Sequence, residues 1–145
     1  MPSQFPLRYE VNAEATEGIS SIWKAQTNAL APTSCAIPPE FNGPGGAYSP
    51  EDFFALAILN CMIASFKFHC EKAGQHFEKI KGNASLSITK DPETEHLLLN
   101  EVYIKFDVSG SSDAGHVKNL LEQAIKECPV GNAVKTGKSF QINVK

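Results

Sequence analysis

The chain opens on strict alternation. Phe5, Leu7, Tyr9, Val11 and Ala13 fall on one face of an extended segment, and Gln4, Arg8, Glu10, Asn12 and Glu14 on the other. A period of two predicts a half-buried strand. Glu17-Gly18 reads as a turn and Ile19 to Thr27 as a second, weaker strand. Ala31 to Tyr48 carries Pro32, Pro38, Pro39, Gly43, Pro44, Gly45 and Gly46, which predicts a long, stiff loop. Loops of that length in compact domains are often functional.

At Ser49 the pattern changes. Ser49 suits a helix cap, Pro50 the first helical position, and Glu51 and Asp52 the first turn, where the helix dipole favours acids. The run Phe53-Phe54-Ala55-Leu56-Ala57-Ile58-Leu59-Asn60-Cys61-Met62 is apolar almost all round, and remains so until Lys67. It predicts a central, buried helix that ends near Ala73, with Gly74 as the stop.

Alternation then returns. Ile80, Ala84, Leu86 and Ile88 interleave with Lys81, Asn83, Ser85, Ser87 and Thr89. Past the turn Asp91-Pro92-Glu93-Thr94, Val102, Ile104, Phe106 and Val108 interleave with Glu101, Tyr103, Lys105 and Asp107. Two such runs around a turn predict an antiparallel pair. Ser109 to Gly115 reads as a loop. His116 to Glu127 carries the helical stripe Val117, Leu120, Leu121 and Ala124. Phe140, Ile142 and Val144 close the chain as a short strand. Strands and helices in this order predict an α+β fold, one domain over residues 1–145.

Bulk properties narrow the function. With 145 residues at 42% apolar composition, the chain can bury a sizeable core. A net charge of −3, one arginine (Arg8) and scattered lysines carry no nucleic-acid footprint. The start Met1-Pro2-Ser3-Gln4-Phe5 has no charged leader before an apolar stretch. The apolar run from Phe53 to Phe66, broken by Asn60, is short for a membrane span. Four cysteines in such a chain suggest free thiols in a reducing compartment, so the expected location is cytoplasmic, with no membrane partner.

Two cysteines stand out. Cys61 lies midway along the apolar helix, beside the polar Asn60. A free cysteine there is ordinarily a small core hydrophobe, although a polar neighbour in an apolar helix needs a reason. Cys128 ends the second helix in Glu127-Cys128-Pro129-Val130-Gly131-Asn132. It continues the stripe Val117, Leu121, Ala124 and so also suits a core. Alternatively, Pro129 opens another turn, whose free amides would stabilise a Cys128 thiolate. If the fold brings the two together, they form a dithiol that can cycle to a disulfide.

The remaining candidates are weaker. Cys70 is about 13 Å further along the same helix than Cys61, too far for a disulfide between them. Cys35 lies in the Pro-rich loop. Glu51 is ten residues before Cys61, roughly 15 Å along one helix, so a carboxylate acting on Cys61 would come from a second copy of the chain. His69, His76, His96 and His116 form no recognisable ligand cluster. No phosphate loop, dinucleotide glycine motif or Gly-x-Ser-x-Gly elbow occurs.

Ser49-Pro50-Glu51, Cys61 ten residues on, Ala73-Gly74 at the helix end and the later Cys128-Pro129-Val130 together resemble the OsmC/Ohr family of thiol-dependent peroxidases. The resemblance covers the chain from about Tyr48 onward. It implies an intertwined homodimer with antiparallel sheets around the long helix and active sites at the subunit interface. Cys61 would be the peroxidatic thiolate, Cys128 the resolving thiol, and Glu51 the holder of an arginine beside the thiolate. The implied chemistry reduces an organic hydroperoxide as part of an oxidative stress response. A small or protein-borne thiol or dithiol then regenerates the enzyme, and no metal, flavin or haem is needed. Apolar neighbours such as Phe54, Leu56, Met62 and Phe66 would favour greasy peroxides.

One departure stands against this pattern. The family places its arginine after the first strand, whereas this chain reads Glu17-Gly18-Ile19-Ser20-Ser21-Ile22-Trp23-Lys24. Arg8 falls earlier, and Lys24 lacks the bidentate fork. The alternative is therefore a family-like dimer without efficient turnover, binding a small apolar or electrophilic ligand between subunits.

Overall fold

The computed structural model describes residues 4–145, which form two compact units divided after Phe53. The first unit holds a three-stranded antiparallel sheet in the order β1 (Val11–Glu14), β2 (Trp23–Thr27), β3 (Thr33–Cys35). Val11 pairs with Thr27, and Trp23 with Cys35. The expected first strand is cut short, and its apolar face is open: Phe5, Tyr9 and Val11 are all exposed. Among the described residues, this unit has only a 3-10 turn (Pro39–Phe41) and the first turn of a longer helix to offer as a second layer. The Pro-rich loop is also more ordered than its composition suggests. It contributes β3, and Tyr48 exchanges backbone hydrogen bonds with Ser34 and Ala36.

Helix α1 (Pro50–Lys72) starts as the local chemistry dictates. The Ser49 hydroxyl accepts from the Asp52 amide at 3.1 Å, and the Asp52 carboxylate accepts from the Ser49 amide at 2.9 Å. Two otherwise orphaned donors are thereby satisfied. The helix ends at Gly74, with φ of 68°, where Gly74 N–H reaches Glu71 O and Gln75 N–H reaches Cys70 O. That double closure needs a left-handed residue, which glycine adopts without a Cβ penalty.

The second unit, from Phe54 on, holds most of α1 and a sheet ordered β4 (Lys79–Lys90), β5 (Leu97–Ser109), β6 (Gly137–Val144). β4 and β5 are the expected antiparallel hairpin, with a register shift between Ser87 and Ile88. Its turn is held by the Asp91 carboxylate, which accepts from the Glu93 and Thr94 amides. β6 runs parallel to β5 after a crossover through α2 (Ala114–Glu127) and α3 (Pro129–Ala133). Parallel pairing requires such a connection.

One face of the sheet is the core. Val102, Ile104, Phe106 and Val108 of β5 are buried with Ile58, Met62, Phe66 and Cys70 of α1 and with Val117, Leu120, Leu121 and Ala124 of α2. Full burial of each larger side chain contributes about 1.5–3 kcal/mol. Gly82 lets α1 approach: a Cβ there would stand 2.8 Å from Leu59 Cδ1. α1 itself is buried along one face at i, i+4 spacing, while Phe53, Leu56 and Phe68 on its other faces are exposed. By length and composition it is also the one helix among the described residues able to cross a membrane. The all-round apolar surface read in the sequence therefore exceeds what a single chain covers.

Candidate functional site

Cys61 sits one residue before the core residue Met62, at the edge of the buried face of α1, and is half-buried. Cys128 stands between α2 and α3 and is wholly buried. The Cys61 thiol lies close enough to the Cys128 sulfur to act on its proton affinity as a hydrogen-bond partner. The fold thus brings together the two sulfurs that are 67 positions apart in sequence. Both are free thiols in this structure.

The local geometry of Cys128 follows from Pro129. Proline suits the first position of α3, and Cys128 becomes its cap. Its Sγ accepts a hydrogen bond from the Gly131 amide at 3.2 Å. A Cβ on Gly131 would lie 3.2 Å from Met62 Cε and 3.3 Å from the Cys128 sulfur. A larger residue here would make Met62 or Cys128 shift by a few tenths of an ångström.

The turn after Cys128 supplies the amides anticipated from Pro129, but they do not decide the protonation of this thiol. Burial pushes the Cys128 thiol up, and the neighbouring Cys61 adds to the rise. Hydrogen bonds from the Gly131 and Val130 amides pull in the other direction and lose. Removal from water penalises a thiolate more than a single helical turn repays. Cys128 is therefore a thiol at neutral pH.

Glu51 lies in the first turn of α1. Its Oε2 is buried and, among the described residues, has no hydrogen-bond partner. Lys24, the nearest substitute for the arginine that the resemblance calls for, donates instead to Ser34 Oγ at 2.6 Å across β2 and β3. Asn60 has a bland explanation: it is exposed, and its amide donates to Leu56 O on its own helix. Cys70 is core, and burial raises its thiol. Among the described residues, no cluster of three metal-ligating side chains occurs.

The apolar residues expected around Cys61 divide. Met62 and Phe66 belong to the core, and Leu56 is exposed. Phe54 borders an open groove of about 480 Å³ lined also by Leu97, Leu98, Leu99 and Val134. Sequence reasoning missed two neighbours of Cys128. Gly131 carried no local signal beyond its position two after Pro129. His69 Nε2 lies 2.9 Å from Glu127 Oε2, linking α1 to the residue before Cys128, and nothing in the spacing announces that contact.

Comparisons with known proteins agree with this architecture. The family model for OsmC-like protein matches residues 43–143. An uncharacterized protein of Bacillus subtilis, YmaD, is 25% identical over 114 residues, covering 76% of this chain and 75% of that one. Among solved structures, an OsmC-like protein of unknown function from Vibrio cholerae aligns with a TM-score of 0.81 at 15% identity, over 94% of this chain and 99% of that one. An organic hydroperoxide resistance protein OsmC from Legionella pneumophila aligns with a TM-score of 0.73 at 20% identity, over 97% and 98%. At those identities the structural likeness speaks for the fold.

Proposed function

Because the chain belongs to the OsmC-like protein family, we propose that it is a thiol-dependent peroxidase of organic hydroperoxides, reacting through Cys61 and Cys128. The observation that carries this reading is the meeting of a half-exposed sulfur with a buried one on a neighbouring helix turn. The Legionella pneumophila protein of the same fold is named for organic hydroperoxide resistance, which supports the choice of substrate.

The Cys61 thiolate attacks one peroxide oxygen, the O–O bond breaks, and an alcohol leaves with a proton from solvent. Cys61 becomes a sulfenic acid. Cys128 attacks that sulfur. The S–S bond forms as the S–O bond breaks, and the Cys128 proton leaves with the hydroxyl as water. A resolving group that reaches the step as a thiol carries the proton the leaving group needs. An external thiol or dithiol then exchanges with the disulfide and is itself oxidised.

On this reading the units before and after Phe53 act as one OsmC-like domain in a cytoplasmic homodimer. The exposed apolar positions on α1 suit burial by a second copy. Glu51 of one copy would orient a cation beside Cys61 of the other, and its unpartnered Oε2 supports that role. The test is stoichiometric. Reduced protein is mixed with cumene hydroperoxide and free thiols are counted. Wild type loses the Cys61 and Cys128 thiols, and Cys61→Ser keeps its Cys128 thiol. Equal loss in both proteins overturns the assignment.

One observation favours a second reading. No arginine lies between Glu17 and Lys24, and Lys24 is engaged with Ser34. A dimer lacking the cation would bind a small apolar or electrophilic molecule without efficient turnover. Steady-state consumption of hydroperoxide with a dithiol reductant separates the two, since only the peroxidase sustains it.

A further inference from the structure

We propose that His69 and Glu127 form a positioning clamp that holds Cys128 against Cys61 for disulfide formation. This inference rests on the two-cysteine reading above. His69 Nε2 meets Glu127 Oε2 at 2.9 Å, with the His69 side chain only 14% exposed. His69 is two turns beyond Cys61 on α1, and Glu127 is the residue before Cys128. The pair therefore ties the helix carrying one sulfur directly to the segment carrying the other.

Among the described residues, and apart from the contact between the two sulfurs themselves, the other side-chain hydrogen bonds of that segment stay within it. The second Glu127 oxygen accepts from Gln123 Nε2 within α2 at 3.1 Å. Asn132 Nδ2 of α3 donates to Lys126 O at 3.0 Å. These bonds make the α2–α3 junction a stiff corner but do not fix its distance from α1. Apolar packing of Ala124 and Leu121 does so without direction. Besides the sulfur pair that it positions, the His69–Glu127 bond is a directional link between the corner and α1. Gln123, then His69, hold the Glu127 carboxyl below its usual range, so it is the charged form that accepts at neutral pH.

Position matters more for the second chemical step than for the first. Peroxide diffuses to Cys61 and needs no help from Cys128. Condensation of the Cys61 sulfenic acid with the Cys128 thiol, releasing water, depends on the effective concentration of one sulfur at the other, which small displacements lower steeply.

The clamp is tested in the full chain with dithiothreitol redox buffers, where oxidised dithiothreitol takes two electrons and two protons from the protein dithiol. The fraction of Cys61–Cys128 disulfide, read by mass spectrometry of the linked peptides, gives the effective concentration. His69→Ala and Glu127→Ala are expected to lower it about tenfold each, and the double variant no further, because each removes the same directional hydrogen bond. Glu127→Gln keeps an acceptor for His69 and is expected to stay within about threefold of wild type. Lys90→Ala, which breaks the distant exposed pair with Glu95, should leave the value unchanged. Glu127 is 51% exposed, so its variants keep the core intact. Effective concentrations within twofold of wild type in both alanine variants, or additive losses in the double variant, overturn the clamp. This readout needs no peroxide. If wild type fails to consume cumene hydroperoxide, the peroxidase reading falls while the clamp is still decided.

Discussion

The Gly131 amide donates to the Cys128 sulfur across 3.2 Å, and a side chain on the same residue would press on Met62 of α1. One glycine thus sets both the direction of the buried thiol and the closeness of α3 to the helix bearing Cys61. Gly131→Ala puts a methyl 3.2 Å from Met62 Cε and 3.3 Å from Sγ. Met62 is flexible enough to yield, and alanine gains about 1 kcal/mol of helix propensity over glycine. Urea unfolding should therefore change by less than about 1 kcal/mol, while overpacking displaces Cys128. The Cys61–Cys128 disulfide should form several-fold more slowly in stopped-flow thiol assays, roughly what a displacement of a few tenths of an ångström costs an oriented pair. A fully stable protein with wild-type disulfide kinetics would remove the steering role of Gly131.

Gly82 makes the corresponding contact between α1 and β4. A Cβ there would lie 2.8 Å from Leu59 Cδ1 and 3.2 Å from Phe106 Cε1. Gly82→Ala is expected to destabilise the protein by about 1–2 kcal/mol through overpacking. The cost should shrink in a Leu59→Ala background, where the obstructing methyl is gone. A double-mutant cycle by urea denaturation measures the difference, and strictly additive losses would show that the contact is not the cause.

What was legible in the sequence was local. Ser49, Pro50 and Asp52 announce the start of α1, and Gly74 its end, because caps involve residues within a few positions of each other. The β4–β5 hairpin was visible for the same reason: Asp91 builds its turn from its own neighbours. The parallel pairing of β6 with β5 and the His69–Glu127 pair are long-range, and alternation or helical periodicity says nothing about which partner an element finds. The stripe from Phe5 to Ala13 misled for another reason. It records a face suited to burial, and a single chain leaves that face open. The contact of Cys61 with Cys128 was suggested by resemblance to a family, since each cysteine by itself also fits a core position.

The raised Cys128 thiol has a consequence for pH. Burial is the larger cause and Cys61 a smaller one. In the Cys61→Ala variant, the pH dependence of Cys128 alkylation should shift toward lower pH than with Cys61 present. Its midpoint should stay above the ordinary thiol value of 9.0. For stability the sign is fixed. As pH rises past 9.0, thiols in the unfolded chain ionise first, while Cys128 and Cys70 in the folded chain keep their protons. The folded state is then progressively disfavoured until its own thiols titrate. Urea midpoints should be flat from pH 7 to about pH 8.5 as far as these groups are concerned and fall above that, less steeply in Cys70→Ala when each curve is compared with its own neutral-pH value. A curve rising with pH above 9 would contradict the burial argument.

Glu51 tests the two-copy site. An unpartnered buried carboxylate oxygen costs on the order of 1–3 kcal/mol. In an isolated chain, Glu51→Gln should therefore be neutral or stabilising. In a dimer where a cation from the second copy meets that oxygen, the same change removes an attraction. It should then slow the reaction of Cys61 with hydroperoxide by about tenfold or more, the effect of losing one charge-assisted hydrogen bond beside a developing charge. Sedimentation velocity of wild type and Glu51→Gln, run beside single-turnover kinetics, distinguishes the cases. A dimer whose Cys61 reacts more slowly after the substitution supports the shared site. A monomer, or a dimer whose Cys61 rate is indifferent to the change, means that this carboxylate serves the helix start alone.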